Sequence, residues 1–571
     1  MRKASAFAVL LLVLTGCAGI PTSSAIHLND ITTTDSASQY VRVIARPPIE
    51  NASAEDVVRG FLEACADSGD NYAIARQYLD VATAKKWNPD SGIEFLDTRE
   101  MDISAQDSHI VVNAPHESSI NASGSFALAQ PGAKVDAQFT LSQRTDGQWR
   151  ITALPDGLLL STSELEREFR GYSVYFLAQR STDLVPDFVL VPASSQGVAT
   201  TLVRALLAGA SPNIAQAVRS AVPAGTKLSF GSVPVSAGVA TVDLSSEVLS
   251  ATRTERAELA AQLVWTLTSL PNVSAVKISV SGQALAISGV GTVQTRTDWL
   301  EYKPASLDRA VELNVVRNRT VHAIDANGTD FRTSILADSV PGALGLAATD
   351  LRSNAMAAVT ADGHTLVWNR KRSALLQPVL TGDALTRPTW DAMGDVLIAD
   401  YGHGLHLVDL AGRAHVVTLG ANTLGNAQQM RQVALAPDGV RVAGVLVEGA
   451  RDVLVLGSLF SDKDTHEIFG LREMQRTVTS VRDILWLSEN EVLVLGSDTS
   501  GAQQLYRINV RLGTANADAV PAGSQSLAVD GSGQVVVAVA NGARQEIYQR
   551  EFSQWLLVGP GESAFYARKH N

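Results

Sequence analysis

The feature that most limits what this chain can fold into is a recurrence in its second half. From about residue 302 onward, turn signals return repeatedly: Asp325-Ala-Asn-Gly328, Ala361-Asp-Gly363, Asp391-Ala-Met-Gly394, Pro437-Asp-Gly439, Ser488-Glu-Asn490 and Asp530-Gly-Ser-Gly533. Each lies between short runs rich in Val, Leu and Ala, a strand–turn–strand pattern. The spacings are irregular but centre near ~40 residues, the length of one four-stranded propeller blade. A single sheet of that size cannot bury its faces alone, and repetition around a ring solves the problem. About 270 residues at ~40–45 per blade give roughly six blades, with five or seven in range; a pair of β-sandwiches is the competing arrangement. The turns lack a Gly-His…Trp-Asp signature, so the repeat is not of the WD40 type.

The other end of the chain carries an address. Arg2 and Lys3 form a short positive region, and Ala6 to Leu14 is an apolar run of nine residues, the size of a signal-peptide core. A spanning helix needs ~20 apolar residues. The run ends in Leu14-Thr15-Gly16-Cys17, which resembles the bacterial lipobox. Small residues admit the backbone to a peptidase cleft, and a thiol is the group that a diacylglycerol donor alkylates. The expected product is cleaved after Gly16 and carries S-diacylglycerol and an N-acyl chain on Cys17; an ordinary signal peptide with a chance cysteine is the competing reading. Each buried acyl CH₂ contributes ~0.8 kcal/mol, so two or three chains anchor stably without any transmembrane helix. The expected location is therefore the cell membrane, lipid-anchored on its extracytoplasmic face.

The partition expected from these signals is a leader at 1–16, a lipidated N-terminus and Ser/Thr-rich tether at 17–48, an α+β domain at 49–160, a second α+β domain at 164–298 and a β-propeller at 302–571. With 46 basic against 58 acidic residues, the formal charge is −12, which argues against a nucleic-acid binder or a polybasic membrane-surface protein. Two cysteines build no disulfide framework. Cys65 lies in an apolar helical pattern and reads as a small core residue.

In the first domain, Ser53-Ala-Glu-Asp56 resembles a capping box ahead of Val57, Val58, Phe61, Leu62 and Cys65, one face of a helix. A second helical run is expected over Tyr72, Ile74, Tyr78 and Leu79. Val135, Ala137, Phe139 and Leu141 alternate as a strand, Asp146-Gly147 turns, and Trp149 and Ile151 return. His109 and His116 have no carboxylate at a spacing that would orient either. In the second domain, strands over 171–178 and 188–191 precede a helix at 197–207 that closes at Gly209. Strands at 227–233 and 239–244, a helix from Thr254 to Leu270 stopped by Pro271, and a strand through Val276, Ile278 and Val280 complete the order β-β-α-β-β-α-β.

Val174-Tyr-Phe-Leu-Ala178, Thr201-Leu-Val-Arg-Ala-Leu-Leu-Ala-Gly209, Ala221-Val-Pro-Ala-Gly-Thr226 and Val242-Asp-Leu244 resemble a GerMN domain. The order of lipobox, α+β domain, GerMN-like domain and β-rich tail resembles the actinobacterial lipoprotein LpqB family. Cys-Ala-Gly-Ile-Pro-Thr-Ser-Ser24, Val58-Arg-Gly-Phe-Leu62 and Leu385-Thr-Arg-Pro-Thr-Trp-Asp391 are also similar to it. The resemblance implies an accessory lipoprotein of the MtrA/MtrB two-component system, with the extracytoplasmic sensor region of the histidine kinase MtrB as partner.

Signatures of catalysis do not emerge. There is no HExxH, GxSxG or GxxxxGK[ST], and Gly289-Val-Gly291 lacks the third glycine of a dinucleotide fingerprint. The best metal-like cluster is Asp400, His403, His406 and Asp409, but histidines three apart on a strand point to opposite faces. The expectation is a non-enzymatic protein without metal or cofactor. Two alternatives stand beside it: a propeller hydrolase, which needs a funnel lined by paired carboxylates roughly 5–9.5 Å apart, and an envelope glycan- or peptide-binding protein.

Overall fold

A computed structural model describes residues 45–568 except 107–108, 123, 125, 194, 196, 308–310, 318–319, 325–330, 334–343, 351–354, 371–374, 392, 421–423, 425–428 and 543, with backbone alone at 106, 166, 331–333 and 568. The leader, Cys17, the tether up to residue 44 and the turn Asp325–Gly328 lie outside the described residues. The described residues form one compact unit.

In the first module, Ser53 Oγ accepts from Asp56 N at 3.1 Å and starts helix Ala54–Ala64. Val57, Val58, Phe61 and Cys65 are buried as their spacing requires. The second helical run breaks up. Helix Gly69–Arg76 carries left-handed φ at Asp70, Asn71 and Tyr72, a further helix Val81–Lys86 precedes Trp87, and Tyr78–Leu79 form a turn in which Leu79 bridges to Ile151. The helices cover a sheet in the order Trp149–Ala153, Lys134–Gln143, His109–Asn121, Gly92–Leu96, Leu158–Ser161. Phe61 meets Trp87 and Phe139 edge-on at 5.4 and 6.0 Å, a favoured aromatic geometry.

The second module packs helices Val198–Ala208 and Arg253–Leu267 against two small sheets, one built on the hairpin Phe169–Ala178/Leu184–Pro192 and one on the parallel pair Val239–Leu244/Ala275–Val280. Thr252 and Glu255 close a reciprocal capping box at the start of the long helix. Its buried Gln262 and Thr266 then tie the helix to the sheet. Gln262 accepts from Ala221 N and donates to Tyr175 O, both at 2.9 Å, and Thr266 Oγ1 accepts from Tyr175 N. The expected strand 227–233 is absent: one bridge, Leu228 to Leu244, is formed, and the chain then turns at Gly231 (φ 66°) with Phe230 in solvent.

The third module is a propeller with six four-stranded blades among the described residues. Its inner strands are Ser563–Arg568 (blade 1), Leu344–Thr349 (blade 2), Thr389–Trp390 (blade 3), Met430–Leu435 (blade 4), Ser480–Trp486 (blade 5) and Ser524–Val529 (blade 6), each neighbouring the next around a closed ring. Blade 1 is shared by both ends of the domain: Ser563–Arg568 pairs antiparallel with Val311–Arg317, so the last strand locks the ring. The outer strands of blades 3 and 4 also pair, Thr418 with Glu467 and Leu419 with Ile468.

Four of the turn signals occupy one structural position, between the inner and second strands: Asp391–Gly394, Pro437–Gly439, Ser488–Asn490 and Asp530–Gly533. Ala361–Gly363 instead joins the second and third strands of blade 2. The blade-2 equivalent is Asp350, whose N–H donates to Ala355 O at 2.9 Å, as Asp391 N does to Asp395 O.

Candidate functional site

The six inner strands enclose an axial cavity of about 770 Å³, within the range of small-ligand sites. Its wall takes residues from every blade: Tyr566, Ala348, Trp390, Leu435, Leu485 and Val529. Asp350, Asp391, Pro437 and Asp530 rim the end where the inner strands finish, and Asp183 with segment 303–307 borders the same end.

Arg387 crosses the axis at the cavity's inner end. From blade 3 its Nη2 donates to Asp483 Oδ2 of blade 5 at 2.7 Å and to Leu527 O of the opposite blade 6 at 2.9 Å, while Nη1 donates to Ala347 O of blade 2 at 3.2 Å. Asp483 also accepts from Leu527 N at 2.7 Å and Ile484 N at 3.0 Å. Both side chains are buried; a planar guanidinium suits a buried, bidentate pair. Neighbouring blades are stitched by the same means: Trp390 Nε1 donates to Ala348 O at 3.3 Å, Trp486 Nε1 to Ala434 O at 2.9 Å and Thr349 Oγ1 to Tyr566 O at 2.7 Å, and Thr389 Oγ1 accepts from Leu435 N. The segment Leu385–Asp391 thus supplies an axial tie, two blade ties and a turn cap.

Two of the carboxylates that line this cavity, Asp391 and Asp530, are held in structural contacts. Asp530 caps its own turn, accepting from Ser532 N and Gln534 N. Asp391 accepts from Met393 N and Asp395 N, both at 2.8 Å, and receives Arg180 of the second module at 3.3 Å. Arg180 also reaches Asp395 at 2.9 Å and Ser461 at 3.0 Å. Burial, and then the Asp395 charge beside it, push the Asp391 carboxyl up to about 6.

Around that clamp the second module docks on the rim of blades 3, 4 and 5. Phe188 lies between the guanidinium groups of Arg441 and Arg511, at 5.4 and 4.9 Å, within cation–π range. Arg441 is held by Asp438 at 2.6 Å. Arg511 donates to Gly171 O at 2.7 Å and Ser173 Oγ at 3.0 Å, and Tyr175 Oη donates to Glu489 at 3.0 Å. Val440 and Phe469 of blade 4 belong to the same apolar cluster as the second module's core. A smaller cavity of about 40 Å³ lies where all three modules meet, lined by Phe126, Asp187 and Arg472 among others.

The residues singled out in sequence fall as follows. Cys17 lies outside the described residues. Cys65 is buried, and burial pushes its thiol well above the usual range, which makes it unreactive. His116 does have a carboxylate partner: Glu94, from the paired strand, lies 2.6 Å from Nε2. The pairing is non-local, so spacing concealed it. His109 meets Thr140 at 3.0 Å. His403 sits in the turn after strand Val396–Asp400, between Asp383 and Asp400, while His406 is on the next strand, Gly404–Val408. No group of three or more His, Cys, Asp or Glu placed to hold a metal occurs among the described residues. No helix among them is long and apolar enough to cross a membrane. In the sequence Arg387 and Trp390 stand only within the motif at 385–391, Asp391 there and as a turn residue, which it is, and Phe188 only as a strand residue; nothing there marks Asp483 or Arg180.

Fold and site together define a class: a six-bladed propeller whose axis is crossed by a buried arginine, carrying two domains built of helices and sheet. Three family models match in the same order: the N-terminal domain of lipoprotein LpqB over residues 47–166, the sporulation and spore germination domain over 173–286 and the LpqB β-propeller domain over 334–565. The chain is 28% identical to lipoprotein LpqB of Cutibacterium acnes, covering 89% of this chain and 88% of the relative, and 29% identical to that of Streptomyces coelicolor with the same coverage. The first GerMN domain of the Bacillus subtilis sporulation protein GerM aligns at 20% identity and a TM-score of 0.20, covering 23% of this chain and 99% of that one. The chain belongs to the LpqB lipoprotein family.

Proposed function

We propose that this protein is an extracytoplasmic lipoprotein, anchored through Cys17, that acts by binding rather than catalysis as an accessory regulator of an MtrB-type sensor kinase in envelope homeostasis and division. The observation that supports the non-catalytic part is the axial cavity: of its lining carboxylates, Asp391 and Asp530 are committed to turn N–H groups, Asp391 to Arg180 as well, and Asp183 accepts from Ser181 Oγ, so none of these three stands as a free general acid or base. The partner comes from the family resemblance. A regulator of this kind changes kinase output only by binding its signalling states unequally.

The test is binding of residues 45–571 to the purified kinase sensor region by calorimetry. Saturable binding is expected; its absence at tens of micromolar, with both partners folded, removes the regulatory reading. Intact-mass analysis of native material checks the anchor: Met1 retained with an unmodified Cys17 sinks it. A second reading, an envelope peptide or glycan binder, is favoured by the cavity's volume. Retention of the same body on immobilised envelope glycan or peptide, lost on Trp390→Ala, would select it.

A further inference from the structure

The Arg180 clamp continues into the seam between blades 3 and 4 as a chain of titratable groups. Arg180 stands in the loop between strands Phe169–Ala178 and Leu184–Pro192. Beyond Asp391 and Asp395 it donates to Ser461 Oγ at 3.0 Å, at the end of strand Arg451–Ser461 of blade 4. Ser461 Oγ lies 2.9 Å from Nδ1 of His466, which opens the next strand, His466–Gln475. The His466 ring is 4.9 Å from that of His415 on blade 3, and His415 Nε2 meets Asp409 at 3.1 Å, with Arg413 paired to the same carboxylate. His466 is 8% exposed, and its Nε2 has no partner among the described residues.

The hydroxyl of Ser461 accepts from Arg180, so its own proton is left for His466 Nδ1, and a neutral ring can accept it. A protonated ring has no lone pair at either nitrogen. It must donate to the oxygen that already takes Arg180, and it leaves a charged N–H buried at Nε2 without an acceptor, which is costly. Burial first, then the charges of His415 and Arg180, hold His466 below its ordinary value, while Asp462 in the turn before it and Asp395 in the blade 3 turn favour the proton. Asp391 faces the same arginine from the other side: burial and the Asp395 charge favour a proton there, and Arg180 opposes it.

We infer that Arg180, Ser461 and His466 form an acid-released latch: a proton entering this seam displaces Arg180, and the side of the second module that rests on blades 3 and 4 opens while the contacts around Phe188 hold. Coupling between two bound species is reciprocal. Because the docked arginine disfavours a proton on both His466 and Asp391, a proton on either disfavours the docked arginine. Latching is complete well above the ordinary histidine value near ~6.5, and it is lost as pH falls through about 6, where Asp391 titrates. Protonated Asp391 still favours the folded propeller over the unfolded chain; what it weakens is the hold on Arg180. The proton is then a ligand that the docked state excludes and the released state accepts.

Hydrogen exchange on the whole chain, read on peptides covering 179–183 and corrected for the intrinsic pH dependence of exchange, tests this. Between about pH 7.5 and about pH 5, opening of that loop should rise at least about tenfold, the shift given by one unit of difference in proton affinity, while helix Arg253–Leu267 stays protected. Arg180→Met should leave the loop open at both pH values. His466→Asn keeps a partner for Ser461 and takes no proton, so it should stay closed at the higher pH and lose most of the acid response. Adding Asp391→Asn weakens the latch at every pH and should flatten what remains. Opening that ignores pH in the wild type overturns the inference, as does an acid response kept in full by the double variant or a closed loop in Arg180→Met. Acid exchange that spreads equally to helix Arg253–Leu267 overturns it too, because the module then unfolds rather than unlatches.

Discussion

Taking away the Arg387 guanidinium leaves the Asp483 carboxylate buried without its counter-ion, which costs far more than the pair is worth against an apolar substitute. Arg387→Met should therefore lower stability by about 3–5 kcal/mol in urea unfolding. Adding Asp483→Asn should recover part of the loss, because Asn keeps an acceptor for Leu527 N without the charge; a double variant no more stable than the single one would show that the axial tie acts through the arginine's carbonyl contacts alone. At the rim, Asp391 makes a pH statement. Its carboxyl is raised to about 6 in the fold against an ordinary value near 3.9, so the folded state binds the proton more tightly than the unfolded chain. The stabilisation from that proton is complete below about pH 4 and is lost as pH rises through about 6. Asp391→Asn preserves the acceptor for Met393 N and Asp395 N and removes the titration. The difference in melting temperature between wild type and variant should change across pH 4 to 7, with wild type gaining relative to the variant on acidification; a flat difference would contradict the assignment.

At the scale of elements, glycine in a helix normally costs stability relative to alanine by about 1 kcal/mol, but Gly60 in Ala54–Ala64 is an exception. A Cβ there would lie 2.7 Å from the Tyr78 ring, and that ring is fixed by its hydroxyl, which donates to Arg46 O at 2.9 Å. Gly60→Ala should destabilise the first module by about 1–2 kcal/mol, and should cost less in a Tyr78→Leu background; equal cost in both backgrounds would refute the clash. The Val58-Arg-Gly-Phe-Leu62 motif was legible in sequence, but this reason for its glycine was not. That division holds generally. Ser53 and the alternation at Val135–Leu141 act locally, through a cap and the pleat, and the elements they predict are present. The helical run expected over Tyr72, Ile74, Tyr78 and Leu79 ends at Arg76 and is entered through left-handed backbone at Asp70–Tyr72, while both tyrosines are buried; the spacing of apolar residues does not report such a break. The propeller was readable because turn chemistry repeats, whereas Arg387–Asp483, Glu94–His116 and Arg180–Asp391 join residues that spacing cannot relate.

For the molecule as a whole, the sequence suggested three separable units, and the structure shows modules that share their cores. Phe188 of the GerMN domain packs with the Val445, Trp486 and Tyr506 cluster between blades 4 and 5, while Leu190, two residues on, packs in the core of the first module. One strand, Leu184–Pro192, therefore serves three modules. Interfaces between domains of one chain are commonly polar enough to permit relative motion; here an apolar wedge held by two arginines opposes it. Phe188→Ala removes the wedge and both cation–π contacts, a loss of about 2–4 kcal/mol that falls on the interface rather than on either core. Scanning calorimetry of wild type should then give one dominant transition, and the variant should resolve an earlier one for the released GerMN domain. Salt separates this contribution from the Arg180 clamp. Half-exposed charges are screened within about 8 Å at physiological ionic strength, so raising salt should weaken wild-type coupling only slightly while leaving the Phe188→Ala split in place. Two transitions already present in wild type would mean that the wedge does not couple the modules, and that a signal read by one of them has no mechanical route to the others.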